Sequence, residues 1–140
     1  PGAGRWVESR LVEMGDGPAS FCGMDQGTAR GGARIAYEGS AHLAADDLTL
    51  SVSDAPPAAV GAFLYGPTES RLPLGQGVLC VGNPIARLPG VTVDAAGTAS
   101  TDVDVAAGPF TPGSTWHFQF LYRDAAGQDL SDALRVTFRP

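Results

Sequence analysis

The sequence predicts an all-β fold, specifically an antiparallel β-sandwich of the immunoglobulin-like or jelly-roll-like type. From about residue 19 onward, short apolar or alternating runs are separated by clusters of Gly, Pro and Asp, a rhythm typical of sandwiches. The 140 residues include 19 Gly and 11 Pro, which favours many turns. Only 17% of the residues are charged, which argues against long helices with surface salt bridges. We therefore expect one β-sandwich domain over residues 19–140, with one core.

The segment DLTLSVS shows the pattern of a strand with one wet face. Leu48, Leu50 and Val52 alternate with hydroxyl side chains, so the apolar face is expected to be buried. Similar runs end at turns such as DAPP, YGP, LPG and DAAG, where Gly or Pro stops a strand. The predicted strands cover residues 20–24, 34–37, 47–53, 60–65, 77–81, 91–93, 99–105, 115–123 and 133–138.

The stretch GSTWHFQFLYRD carries an aromatic side chain at every second position. The row consists of Trp116, Phe118, Phe120 and Tyr122. Each buried ring removes about 150 to 250 Å² from water, so expelling the row would leave a thin core. We expect the row to face the interior. The opposite face of this strand carries His117, Gln119, Leu121 and Arg123, a mixed set that tolerates contact with water.

The stretch DLSDAL, residues 129–134, is the one segment after residue 18 that suggests a helix. Asp129 or Ser131 is suited to cap a helical turn there. Such a turn is too short to change the fold class.

Residues 1–18 do not share the rhythm of the rest of the chain. The stretch GRWVESRLVEM fits a helix with Val7, Leu11 and Met14 on one face, and equally a strand with alternate residues from Trp6 to Met14 on one side. The GDG that follows interrupts either pattern. We predict an N-terminal arm or edge strand over residues 1–18. Its candidate assembly contacts are Trp6, Val7, Leu11, Val12 and Met14.

The two cysteines, Cys22 and Cys80, are far apart and lack the CxxC spacing of zinc or redox motifs. A disulfide is the natural interpretation, and two reduced buried thiols are the alternative. Closing a loop of about 59 residues would stabilise the fold by up to about 4 kcal/mol.

No pattern in the chain indicates catalysis. The only imidazoles belong to His42 and His117, and neither lies in a recognisable catalytic motif. HExxH, GxSxG and GxGxxG spacings do not occur. Both histidines are expected at the surface, and a small hydrolase built on either one is the weakest hypothesis. We predict that the chain is not an enzyme.

Two pairs of acidic residues are the only candidates for a metal. Asp46 with Asp47, and Asp102 with Asp104, could offer oxygen ligands to calcium in the loops of a sandwich. Such residues more often cap turns or solvate a strand edge. We therefore predict no cofactor, with calcium as the alternative.

The charge balance limits the partners. A net charge of −6 and a pI near 4.6 disfavour nucleic acid and anionic membranes, which require a concentrated basic patch. No apolar run is long enough to span a membrane. Because the chain begins at Pro1, we expect a processed N-terminus.

Three longer stretches of the chain share the pattern of a known module. They are FCGMDQG with GSAHLAADDLTLSVSDAPPAAVGAFLYGPTESRLPLGQGVLCVG, then ARLPGVTVDAAGTAS, then GSTWHFQFLYRDAAGQDLSDALRVTF, together about residues 21–138. They resemble a secreted module found in extracellular proteins of planctomycetes and myxobacteria. The resemblance implies a β-sandwich outside the cell, with Cys22 paired to Cys80 and no assigned enzymatic activity. Where the family has Asn before Asp47, this chain has Asp46.

Two functions from different classes follow. The first is a non-catalytic structural or interaction module of the cell exterior, whose N-terminal arm adds as a strand to a neighbouring copy and builds a surface filament. Its partners would be other copies or other surface proteins. The alternative is a carbohydrate-binding module of a secreted hydrolase, with polysaccharide stacked on a platform formed by Trp116, Tyr65 and Tyr37.

Overall fold

The chain is an all-β protein in the computed structural model, which describes residues 19–22, 33–125 and 127–140. All named strand pairs are antiparallel, which confirms the predicted class. The strands of the described part are β1 (Ala19–Phe21), β2 (Arg34–Glu38), β3 (Thr49–Ser53), β4 (Val60–Gly66), β5 (Thr68–Leu74), β6 (Gly77–Gly82), β7 (Ala86–Arg87), β8 (Val91–Thr92), β9 (Ala99–Asp102), β10 (Thr115–Asp124) and β11 (Gly127–Thr137).

Two sheets and a hairpin make up the part of the chain that the structure describes. The central sheet has the order β1-β11-β10-β4-β7, with β8 also pairing with β4. The second sheet has the order β2-β3-β9, and β5 and β6 form a hairpin of their own. β1 therefore lies at one edge of the central sheet, and β7 with β8 lies at the other.

The main core lies between the central sheet and the second sheet. The predicted inward face of the DLTLSVS strand is confirmed, since Leu48, Leu50 and Val52 are at most 1% exposed. They pack in one cluster with Phe118 and Phe120, which are fully buried. The alternation of β10 thus places Phe118, Phe120 and Tyr122 in the core, as predicted, while Trp116 of the same row is half-buried at its margin.

A third layer was not predicted. The β5–β6 hairpin packs on the other face of the central sheet, over a second small cluster of Cys22, Cys80 and Ala133 with Phe21 and Val78 against it. No strand was predicted over the segment TESRLPL of β5. Pro73 and the charged side chains of this segment interrupt the alternation of apolar and polar residues that indicates a strand. The short β7 was missed as well, since two residues carry no period.

The expected helical turn at residues 129–134 is wrong, because this segment lies inside β11. A β-bulge places Ser131 and Asp132 opposite the single residue Phe120, between the register pairs Gln119–Ala133 and Leu121–Leu130. The Ser131 hydroxyl accepts a hydrogen bond from the Phe120 N–H at 3.0 Å and donates to the Asp132 carbonyl at 2.6 Å. These polar side chains therefore satisfy the backbone of a bulge instead of capping a helix.

Cys22 and Cys80 form a disulfide, as predicted. The bond joins the end of β1 to β6, so it ties the edge of the central sheet to the hairpin layer. The arm of residues 1–18, with Trp6, Val7, Leu11, Val12 and Met14, lies outside the described residues. Within the described ranges, no helix has the length and apolar character needed to cross a bilayer.

Candidate functional site

The aromatic platform does not form one surface in the described part of the chain. Trp116 is half-buried, packs edge-on against Phe110 with centroids 5.2 Å apart, and donates from Nε1 to the Ser114 hydroxyl at 3.1 Å. Tyr65 stacks on the buried Phe118 at 6.0 Å. Tyr37 is 38% exposed on β2, and no ring contact among the described residues joins it to the other two. Trp116 and Tyr65 are thus the margin of the core cluster.

The hairpin covers the part of this face of β10 that carries His117 and Gln119, so the expectation of contact with water is wrong for these two residues, whereas Arg123 on the same face is exposed. Gln119 is fully buried beneath the hairpin. Its Oε1 accepts from the Cys80 N–H at 2.9 Å, and its Nε2 donates to the carbonyls of Val78 at 2.9 Å and Ser131 at 2.7 Å. One amide therefore satisfies backbone groups of β6 and β11 that have left water.

His117 contributes to the same interface and is not a surface histidine, being 5% exposed. Its Nδ1 lies 3.3 Å from the Gly66 carbonyl, and its Nε2 lies 3.3 Å from Glu69 Oε2. The Arg135 guanidinium also donates to Glu69, from Nε at 2.9 Å, and it holds the pKa of the Glu69 carboxyl below its usual value. This cluster ties β5 to β10 and β11.

His42 is exposed, as predicted, and sits at an isolated bridge to Arg139. Its Nδ1 lies 3.5 Å from the carbonyl of Pro140. In the part of the chain that the structure describes, the imidazole of neither histidine is hydrogen-bonded to a serine or threonine hydroxyl. The nucleophile–base pair that a hydrolase of this kind needs is therefore not assembled there.

The four predicted acidic candidates come together around one cavity, of about 540 Å³. The pairing of β3 with β9 is the cause, since it sets Thr49 opposite Asp102. In each carboxylate one oxygen already accepts a hydrogen bond from the protein. The donors are Val105 N for Asp46, Ser40 N for Asp47, Thr49 Oγ1 for Asp102 and Ala107 N for Asp104. Among the described residues, no three His, Cys, Asp or Glu side chains are arranged to hold a metal ion.

A second cavity, of about 560 Å³, lies along the β4 side of the central sheet, and we call it the edge groove. The groove is lined chiefly by Val60, Ala62, Leu121, Arg87, Arg123 and the segment 90–92. The register places Leu121 opposite Ala62 and Arg123 opposite Val60, so these side chains share the face of the sheet that carries Gln119. The edge groove is thus an aliphatic surface with a guanidinium on each of two strands.

The two arginines of the edge groove differ from the other described arginines. Arg135 pairs with Glu69, and Arg34, Arg71 and Arg139 each make a hydrogen bond, ion pair or related contact. Within residues 33–125 and 127–140, Arg87 and Arg123 make no ion pair and no side-chain hydrogen bond, and both are exposed. Two unpaired cations, opposite Val60 and Leu64 of β4, therefore line one groove of a chain whose net charge is −6.

No protein-family model, no curated protein and no solved structure matches the chain. The resemblance to a secreted bacterial module therefore stays a prediction.

Sequence reasoning did not find the edge groove. Arg87 and Arg123 are 36 positions apart and belong to no motif, and Val60 was predicted only as the start of a strand. Their proximity comes from β4, which pairs with β10 on one side and with β7 and β8 on the other. The predicted strand over residues 91–93 covers one side of the groove, but the sequence does not indicate that this strand pairs with β4.

Proposed function

We propose that this chain is a non-catalytic interaction module of the cell exterior whose copies join end to end. In this assembly the N-terminal arm of one copy adds as a strand to the sheet edge of the next. The Cys22–Cys80 disulfide is compatible with an oxidising, extracellular setting, in which such bonds persist.

The observation that carries the proposal is the position of the two edges of the central sheet. The arm precedes β1, which forms one edge, while β7 and β8 form the opposite edge. β7 and β8 contain two residues each, and in the described part of the chain no further strand pairs with their outer side. This outer side is where a donated strand could add to the sheet. A contact between opposite edges is heterologous, and such contacts propagate into open filaments unless the rotation closes a ring.

The use of the polar groups between the layers supports a non-catalytic role. Gln119 holds the hairpin, the buried His117 and the exposed Glu69 join β10 to β5, and the Asp132 carboxylate accepts from the Ile35 N–H of β2 at 2.7 Å. These groups are committed to backbone or to one another, as expected of side chains that hold layers together.

Deletion of residues 1–14 tests the proposal. The full chain and the deletion variant would be compared by light scattering coupled to gel filtration and by electron microscopy across a concentration series. We expect polymers of the full chain and a folded, disulfide-bonded monomer from the variant, with the fold checked by circular dichroism. Polymers of unchanged length without the arm, or a full chain that stays monomeric, would remove the proposal.

The exposed ring of Tyr37 favours one alternative, a carbohydrate-binding module. Trp116 and Tyr65 have ring contacts within the protein, which leaves Tyr37 as the ring best placed to stack on a sugar. Retention on insoluble polysaccharides that is lost in Tyr37→Ala would support this function. Retention that is unaffected by Tyr37→Ala, or no retention at all, would count against it.

A further inference from the structure

We propose that the edge groove is the receptor for the N-terminal arm of a second copy, with the arm's Leu11 on the aliphatic surface and its Glu13 on the arginines. This inference rests on the proposed function and names the surfaces that meet in it. It accounts for why Arg87 and Arg123 have no ion pair within the described chain.

The edge groove has two features of a binding surface, namely exposed apolar side chains and flanking guanidinium groups. Val60 is 54% exposed and lines the groove together with Ala62 and Leu121, so the apolar side chains there form a continuous surface. The hairpin covers the same face of the sheet over Gln119 but leaves the part beside β4 open. Burying Val60 and Leu121 under an apolar side chain would stabilise a complex, and the flanking guanidinium groups favour a carboxylate at its rim.

The arm carries the matching chemistry in its sequence. In an extended strand, Leu11 and Glu13 lie on the same face, about 7 Å apart, while Glu8 lies on the other face. An arm strand added along β7 and β8 therefore presents one apolar and one acidic side chain toward the same side of the sheet. A carboxylate can accept two parallel hydrogen bonds from a guanidinium, which gives the contact a defined orientation.

Among the described residues that line the groove, Tyr122 is the one aromatic residue, and the direction of its ring favours a peptide over a sugar chain. This ring stacks on Phe120 at 5.7 Å on the core face, so only the backbone side of Tyr122 meets the groove. Sugar sites usually offer a ring for stacking, whereas a donated strand needs a free edge, an apolar surface and a charge partner.

A neighbouring copy is the favoured donor because of where the arm leaves the sheet. The arm precedes β1, and β11, β10 and β4 lie between β1 and the groove edge. Four strand spacings of about 4.8 Å separate the two edges, and the hairpin is packed over part of that face. The groove of the next copy in a head-to-tail arrangement requires no such crossing.

Charge reversal in the full-length chain tests the pairing. The first variant is Glu13→Arg, and the second carries Arg87→Glu together with Arg123→Glu. Each alone places like charges together, so we expect the concentration needed for half-assembly to rise about tenfold or more, in light scattering at low salt. The matched control is Glu8→Arg, which makes the same charge change on the opposite face of the arm and should assemble as the wild type does.

Mixing the two variants gives the decisive readout. An equimolar mixture restores both contacts, since the basic arm of the first variant meets the acidic groove of the second, and the unchanged Glu13 of the second meets the basic groove of the first. We therefore expect polymers from the mixture under conditions where each variant alone is monomeric. Recovery on mixing cannot arise from misfolding, and circular dichroism of each variant provides a separate check of folding.

The outcomes separate this inference from the proposed function. If deletion of residues 1–14 stops assembly while both charge variants still polymerise, the arm acts through another surface and the inference is overturned. If both variants lose assembly and the mixture does not recover it, the Glu13–arginine pairing is overturned as well. If the wild type is monomeric at all concentrations, both proposals fall.

Discussion

The side-chain amide of Gln119 and the backbone N–H of Cys80 are joined by a hydrogen bond of 2.9 Å in the buried interface between the central sheet and the hairpin. Because Gln119 also donates to two carbonyls, one side chain replaces the water that three backbone groups would otherwise require. The hairpin layer therefore depends on a polar contact as well as on the small apolar cluster around Ala133.

Gln119→Leu keeps the volume of the side chain but leaves those backbone groups without partners. We expect a loss of about 2 to 4 kcal/mol in the free energy of unfolding, measured by urea denaturation. Gln119→Glu is the matched comparison, because it keeps Oε1 but turns a donor toward two carbonyls into an acceptor. It should be at least as destabilising at neutral pH and recover partly in acid. Wild-type stability in both variants would contradict this role.

The disulfide is expected to add to the same interface. Replacing Cys22 and Cys80 together by alanine removes a link across 58 positions and should lower the free energy of unfolding by up to about 4 kcal/mol. The comparison is the wild type with and without a reducing agent, followed by thermal unfolding. An equal melting temperature for the oxidised, reduced and double-alanine proteins would contradict the expectation.

The sequence predicted the sandwich well where one strand's own pattern decides which side is buried. The alternation of Phe118, Phe120 and Tyr122 favours the arrangement in which all three rings are buried on one face, and the structure has them there. The same applies to the apolar face of the DLTLSVS strand. In these strands the burial of each residue follows from its neighbours along the chain.

The parts that could not be predicted depend on strands distant in sequence. By their own sequence, His117 and Gln119 are compatible with a solvent-exposed face. They are buried because the β5–β6 hairpin packs over them. The edge groove likewise needs the pairing of β4 with three other strands. The acidic pairs were found from local motifs, but their meeting at one cavity follows from the β3–β9 pairing. Strand order is a non-local property that no single stretch contains.

Asp132 gives a prediction for the pH dependence of stability. Burial raises the pKa of its carboxyl above the ordinary 3.8, and the hydrogen bond from Ile35 and the charge of Arg34 only partly oppose this. Ionisation therefore costs more in the folded chain than in the unfolded one. The contribution of Asp132 to the free energy of unfolding is greatest below 3.8 and is lost as the pH rises through the raised pKa.

Asp132→Asn removes this titration while Oδ1 still accepts from Ile35. The difference in stability between the variant and the wild type should shift in favour of the variant as the pH rises from about 3 toward neutrality. Asp132→Ala, which also removes the acceptor, should be less stable than Asp132→Asn at every pH, by about 1 to 3 kcal/mol. A difference between the Asn variant and the wild type that is independent of pH, in urea denaturation at each pH, would rule out this titration.

Calcium is expected to leave the protein unchanged. The carboxylates of Asp46, Asp47, Asp102 and Asp104 each already accept a hydrogen bond from the protein, so a cation would compete with structural contacts. Adding millimolar calcium or a chelator should alter the melting temperature by less than about 1 °C. A calcium-dependent rise that disappears in Asp102→Asn with Asp104→Asn would show that the acidic cavity is a metal site.

Asp46 connects the loop before β3 to the segment after β9, and its backbone conformation makes its identity testable. Its φ is 48°, a region that Asn and Asp adopt more readily than other non-glycine residues, and its Oδ1 accepts from the Val105 N–H at 2.8 Å. Asn meets both requirements, so Asp46→Asn should stay within about 0.5 kcal/mol of the wild type. Asp46→Ala meets neither and should lose about 1 to 2 kcal/mol in urea denaturation.

Asp102→Ala, which gives up only an exposed contact to Thr49, is the control and should cost less than Asp46→Ala. Equal losses for Asp46→Asn and Asp46→Ala would mean that the charge of Asp46, and not its conformation and acceptor, stabilises this loop.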